Sequence, residues 1–216
     1  MESILLAEIA RSLPKTFVTE AMRAIDWAYE EAHGAVFNDP LVGKPERDYY
    51  YPHYRRAIIE KKFRDIGGSL GLDSQVESNF AGNYQFTRIT AGRIVLTCCH
   101  KGGQDWRMLR SSIFREQHAS LNLLLSQMEF GSGGFDVFRA KDKVGMLNAV
   151  IYHGTDLKDK SKVGYLRLGF PSEDNSRWAA RFDFYEILSA YQSSAAPTED
   201  DELIIKWKSK AREMGE

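Results

Sequence analysis

The chain has 216 residues, with 29 Lys and Arg against 30 Asp and Glu, a net charge of −1 and a pI near 6.5. It therefore lacks the overall positive field of a dedicated nucleic-acid coat, and binding of that kind requires a local patch. A 43% hydrophobic, 27% charged composition excludes disordered, collagen-like and fibrous classes, and at this length roughly 70% of the unfolded surface is buried without a disulfide or metal staple.

In chain order, Ile4, Leu5, Ile9 and Leu13 lie at helical spacing until Pro14 ends the run. Glu2 and Glu8 within this stretch, and the lack of a basic leader, predict a helix rather than a signal segment. A second helix is predicted from the capping residue Thr16 to Gly34 on the stripe Phe17, Ala21, Ala24, Ile25 and Ala28, antiparallel to the first. Two prolines and a glycine over 35–45 predict a loop. A helix over 52–66 follows, with Tyr54, Ile58, Ile59 and Phe63 as its core stripe.

The period then shortens: Tyr84, Phe86 and Ile89, a turn at Ala91 and Gly92, and Ile94 to Cys99 predict a β-hairpin. Cys98 and Cys99 are the only cysteines, and neighbours in a strand point to opposite faces. They neither bond each other nor staple distant segments, which fits a reducing, cytoplasmic setting. The strongest amphipathic pattern, through Ile113, Phe114, Gln117, Leu121, Leu124, Leu125 and Met128, predicts a long central helix over 107–128, with Arg107, Arg110, Arg115, Glu116, His118 and Asn122 on its polar face. Beyond a glycine-rich break at 131–134, strands over 146–152 and 163–170 form a second hairpin around a polar loop.

Residues 177–191 have helix-compatible spacing, with a first half that also suits a strand. Small and polar residues over 193–198 read as a linker to a last amphipathic helix, 199–216, with Leu203, Ile204, Trp207 and Ala211 on one stripe. Acids open that helix and bases close it, which complements its dipole. No run reaches the 18 to 20 uncharged apolar residues of a membrane span. The expected architecture is α+β: one domain over 1–192 with N-terminal helices, a small, mostly antiparallel sheet and a long central helix, then a tethered C-terminal helix.

No motif for catalysis emerges. A restriction-type nuclease core needs a carboxylate and then an acid-x-lysine on successive strands, whereas Glu60 and Lys62 fall on a predicted helix. Zinc through Cys98, Cys99 and His100 with His118 or His153 lacks paired ligands at the usual spacing. Gly131 to Gly134 is neither a nucleophile elbow nor a phosphate loop. A site assembled in space around His153, Asp156 and His118 is not excluded, since strand-end loops present functional groups.

Two function classes follow. The first is a non-catalytic interaction or regulatory protein, without cofactor or metal, which binds a protein partner or a second copy of itself through Trp207 and the terminal helix. The second is a nucleic-acid-binding protein, with a nuclease as one version, using the basic and aromatic segment 49–64: Tyr49, Tyr51, His53, Arg55, Arg56, Lys61 and Lys62. In that segment the rings stack bases and the cations meet phosphates, unless the apolar rings are the core face of one helix and the cations its solvated face.

Overall fold

A six-stranded sheet carries helices against one face in this computed structural model, which describes residues 2–79, 81–102, 107–123, 125 and 145–191. The described elements run α1 (Glu2–Ser12), α2 (Lys15–Phe37), α3 (Lys44–Ser69), β1 (Asp73–Ser78), β2 (Gln85–Ala91), β3 (Ile94–His100), α4 (Ile113–Ala119) with a 3₁₀ turn Ser120–Asn122, β4 (Leu147–Thr155), β5 (Val163–Pro171), β6 (Trp178–Asp183) and α5 (Phe184–Ala190). The α+β class therefore holds. The sheet order follows the sequence order, and every neighbouring pair is antiparallel except β3 and β4, which are parallel.

Strand alternation builds the main core. Ile94, Leu96 and Cys98 of β3 are aligned with Leu147, Ala149 and Ile151 of β4, and all face Phe17, Ala21, Ile25 and Ala28 of α2 and Ile59 and Phe63 of α3. On the opposite sheet face, Val150 and Tyr152 pack with Leu109, Cys99, Tyr165 and Trp178. Cys98 and Cys99 are free thiols on these two faces, as alternation requires. In the β2–β3 hairpin the first turn residue is Gly92, at φ 54°, where a Cβ would also lie 2.7 Å from the Ser12 hydroxyl.

Several predicted elements take a different form. The close helix pair is α2 with α3, whereas α1 lies against α5, held by the Tyr191 hydroxyl donating to the Leu13 carbonyl at 2.7 Å. α2 runs past Gly34 to Phe37, and α3 begins at Lys44 and runs through Pro52. Pro52 removes one backbone donor, but burial of Tyr51 against Ala32 and Val36 of α2 holds the turns on both sides. The core stripe of α3 is Tyr51, Arg55, Ile59 and Phe63, while Tyr54 is exposed.

Over the described residues the helix predicted for 107–128 begins at Ile113 and gives way to the 3₁₀ turn after Ala119, while 124, 126–128 and the glycine-rich break 131–134 lie outside the described residues. Ser112 is extended at the N-cap position of α4 without a side-chain cap bond, and Asn122 is fully buried, where its side chain bonds the Asn148 N–H at 2.8 Å and the carbonyls of Asn148 and Pro171 at 2.9 and 2.7 Å. Those strand-edge groups need a polar partner, so a residue expected on a wet helix face becomes an internal anchor. The segment 177–191 divides into β6 and α5 at Asp183 and Glu186, which form a capping box. β1, a polar edge strand, was not predicted, since Asp73–Ser78 shows no apolar alternation; Arg88 of β2 pairs with Asp73 and Glu77 across that edge. The linker 193–198 and the helix 199–216 with Trp207 lie outside the described residues. Among the described residues no helix is long and apolar enough to cross a membrane.

Candidate functional site

The core row shared by β3 and β4 ends in polar side chains. His100 and His153 are register partners at the carboxyl ends of the two parallel strands, with ring centroids 5.5 Å apart, and Thr155 lies two residues on, on the same face. Helices α2 and α3 cover them. Tyr29 of α2 places its hydroxyl 2.8 Å from His153 Nδ1, and Arg55 of α3 donates from Nη1 to the Thr155 hydroxyl at 2.9 Å. The Arg55 guanidinium lies 4.3 Å from the centre of the Tyr29 ring and 4.8 Å from that of Tyr51. Tyr51 in turn donates to the Lys160 carbonyl, and His100 Nε2 is 3.2 Å from the Thr155 hydroxyl.

Burial sets the charge state of this cluster. Desolvation, followed by the charges of His100 and Arg55, drives the His153 pKa well below the ordinary histidine value. Desolvation likewise raises the Tyr29 and Tyr51 phenols, against the pull of Arg55. His100 is exposed at its rim, but protein covers much of the ring, and that desolvation and then Arg55 lower its pKa. Arg55, 2% exposed, is thus a buried cation among neutral groups.

The outer face of α3 differs in kind. Tyr49, Tyr50, His53 and Tyr54 are exposed, with Tyr49 edge-on to Tyr50 at 5.4 Å and tilted against His53 at 5.0 Å. Arg56 lies over the Tyr84 ring at 3.6 Å and donates to the Gln85 carbonyl. Lys62 lies over Trp27 at 4.5 Å, and Lys61 pairs with Asp65 at 2.8 Å. Between α3 and the β1–β2 hairpin runs a cleft of about 550 Å³ lined by His53, Arg56, Glu60, Arg64, Tyr84 and Phe86. A second cleft of about 600 Å³ shares Asn83 and Tyr84 and continues to Phe114 and Arg115. Glu60 on the first floor is buried, accepts the Thr87 N–H at 2.6 Å, and has its pKa raised by desolvation.

The residues singled out in the sequence thus divide. Tyr51, Arg55 and His153 come together inside; Tyr49, His53 and Lys61 are exposed, Arg56 is half-buried on the flank toward Tyr84, and Lys62 is half-buried on the flank toward Trp27 of α2. Asp156 is occupied in the loop after β4, accepting the N–H groups of Lys158 and Asp159 at 2.7 and 3.0 Å. His118 does not join His153, because α4 carries it to Glu77 of β1 and Phe86 of β2. Among the described residues no three His, Cys, Asp or Glu side chains converge as a metal site. Tyr29 was missed, although Ile25, Tyr29, Ala32 and Val36 continue the α2 stripe at helical spacing. Thr155 and Tyr84 carried no local signal, since their roles come from cross-element contacts.

No protein family, curated protein or solved structure matches the chain.

Proposed function

We propose that the protein binds single-stranded nucleic acid along the outer face of α3 and across the adjoining clefts. The observation that carries this reading is the exposure of Tyr49, Tyr50 and Tyr54, at 65%, 51% and 46%, beside a cluster of outward cations. Between 49 and 64 the single acid is Glu60, which is buried, while Lys61 is exposed, Arg56 and Arg64 line the cleft toward β2, and Lys62 lies half-exposed over Trp27. Open rings stack bases regardless of sequence, and the cations neutralise the phosphates between them. The route from His53 over Tyr84 to Phe114 and Arg115 continues the same alternation of ring and cation.

Fluorescence anisotropy with a labelled oligothymidylate tests this. Three or four phosphate contacts from Arg56, Lys61, Lys62 and Arg64 give a slope of log K against log salt of about −2 to −3. The double variant Arg56→Gln, Lys62→Gln flattens that slope by about 1.4 and weakens binding at low salt. Absence of binding in dilute salt, or binding that the double variant leaves unchanged, overturns the reading.

A further inference from the structure

Buried arginines are ordinarily matched by carboxylates, because an unpaired guanidinium taken out of water is strongly disfavoured. Arg55 has no such partner. No carboxylate lies within salt-bridge distance of it among the described residues. Its Nε is buried without a hydrogen-bond partner, and among the described residues it meets only uncharged groups: the Thr155 hydroxyl, the Tyr51 hydroxyl, and the ring faces of Tyr29 and Tyr51. Ring faces offset part of the desolvation but leave a whole positive charge in place. From solvent inward, the contacts run from the exposed His100 to Thr155 at 3.2 Å and on to Arg55 at 2.9 Å.

We propose that Arg55, Thr155 and His100 form a binding site for a ligand's oxyanion group, a phosphate ester or a carboxylate, at the carboxyl ends of β3 and β4. The ends of parallel strands under covering helices are where mixed α and β folds hold ligands. A guanidinium recognises either oxyanion through charge-assisted, directional N–H donors, with a hydroxyl and an imidazole adding to the set. His100, as the exposed member, marks the side from which the ligand arrives. This site is distinct from the outer face of α3 and stands whether or not nucleic acid binds there.

The test is isothermal titration of the full chain with inorganic phosphate and with acetate, each against chloride at matched ionic strength, alongside the thermal midpoint in each anion. A saturable isotherm with a rising midpoint is expected. Response to phosphate alone assigns a phosphate ester, response to acetate alone a carboxylate, and response to both a site for the shared oxyanion. His100→Gln, at an exposed position, weakens binding about fivefold or more, as loss of one charge-assisted contact implies, and Arg55→Met abolishes it. If Arg55→Met fails to fold, Thr155→Val takes its place beside His100→Gln, with the same expected weakening. Lys158→Gln, a nearby exposed cation in the loop after β4, leaves the isotherm within about twofold. No saturation by either anion up to tens of millimolar, unchanged binding in His100→Gln, or an equal loss in Lys158→Gln overturns the site.

Discussion

Arg55 and Arg56 are neighbours in sequence, and the helix turns them about 100° apart. One guanidinium lies inside between Tyr29 and Tyr51 at 2% exposure, while the other lies flat on Tyr84 at the wall of an open cleft. Both meet aromatic faces, but they do so in different media. The outer cation has Glu60 at 4.0 Å and water to screen it, so its ring contact is a surface feature that a ligand can exchange. The inner cation meets only uncharged groups among the described residues, the Thr155 and Tyr51 hydroxyls and two ring faces. The same chemical group thus sits in two different media on two sides of one helix.

The largest effect that sharpens this contrast lies on the inner stripe. Phe63 is 2% exposed and edge-on to Phe17 at 6.1 Å, so Phe63→Ala lowers unfolding free energy by about 3 to 5 kcal/mol in urea titration. A loss below 1 kcal/mol breaks the claim that this face is core. Next comes pH. His153 is kept neutral by burial, then by the charges of His100 and Arg55, so its folded pKa lies below the unfolded value of about 6.5. As pH falls below that, the unfolded chain takes up the proton first. The stability of the neutral imidazole is therefore full above about pH 6.5 and declines at up to about 1.4 kcal/mol per pH unit as acid is added. His153→Gln has no such titration, and its stability against pH between 6.5 and 5 is flatter than wild type by that amount; parallel curves contradict the assignment.

How much of this was readable beforehand follows from the same division. Periodicity located α1, α2, the β2–β3 and β4–β5 hairpins and the basic, aromatic character of 49–64, because each is written in side chains a few positions apart. It failed where one face of an element is polar for a tertiary reason. Charge implies water unless a partner is visible, so the pattern groups Arg55 with the solvated cations, and its ring partner Tyr29 is 26 positions away. For the same reason the pattern puts Asn122 on a wet helix face, although it bonds the ends of β4 and β5. The end of the core row, where Ile151 and Cys98 give way to His153 and His100, depends on the parallel register of β3 and β4, which no local pattern encodes.

A smaller effect probes the link between α2 and the strand end. Tyr29→Phe removes the hydroxyl 2.8 Å from His153 Nδ1 while keeping the ring against Arg55, and the loss is about 1 to 2 kcal/mol, as for one buried hydrogen bond. A neutral outcome implies that His153 Nδ1 finds another partner at no cost.

The smallest change in stability belongs to the outer face, and it is the sharpest test of the division. Tyr54 sits one residue before Arg55 and is 46% exposed, so Tyr54→Ala removes a ring that excludes little water, and stability stays within about 0.5 kcal/mol of wild type. If that ring stacks a base, the same variant weakens oligothymidylate binding by about fivefold or more, since one stacked base contributes on the order of 1 to 3 kcal/mol. Unchanged stability with weakened binding separates the two faces of α3 by what each side chain does. Reduced stability returns Tyr54 to the core stripe with Ile58 and Phe63. Unchanged stability with unchanged binding leaves the inner cluster as the only face of the helix with a ligand to hold.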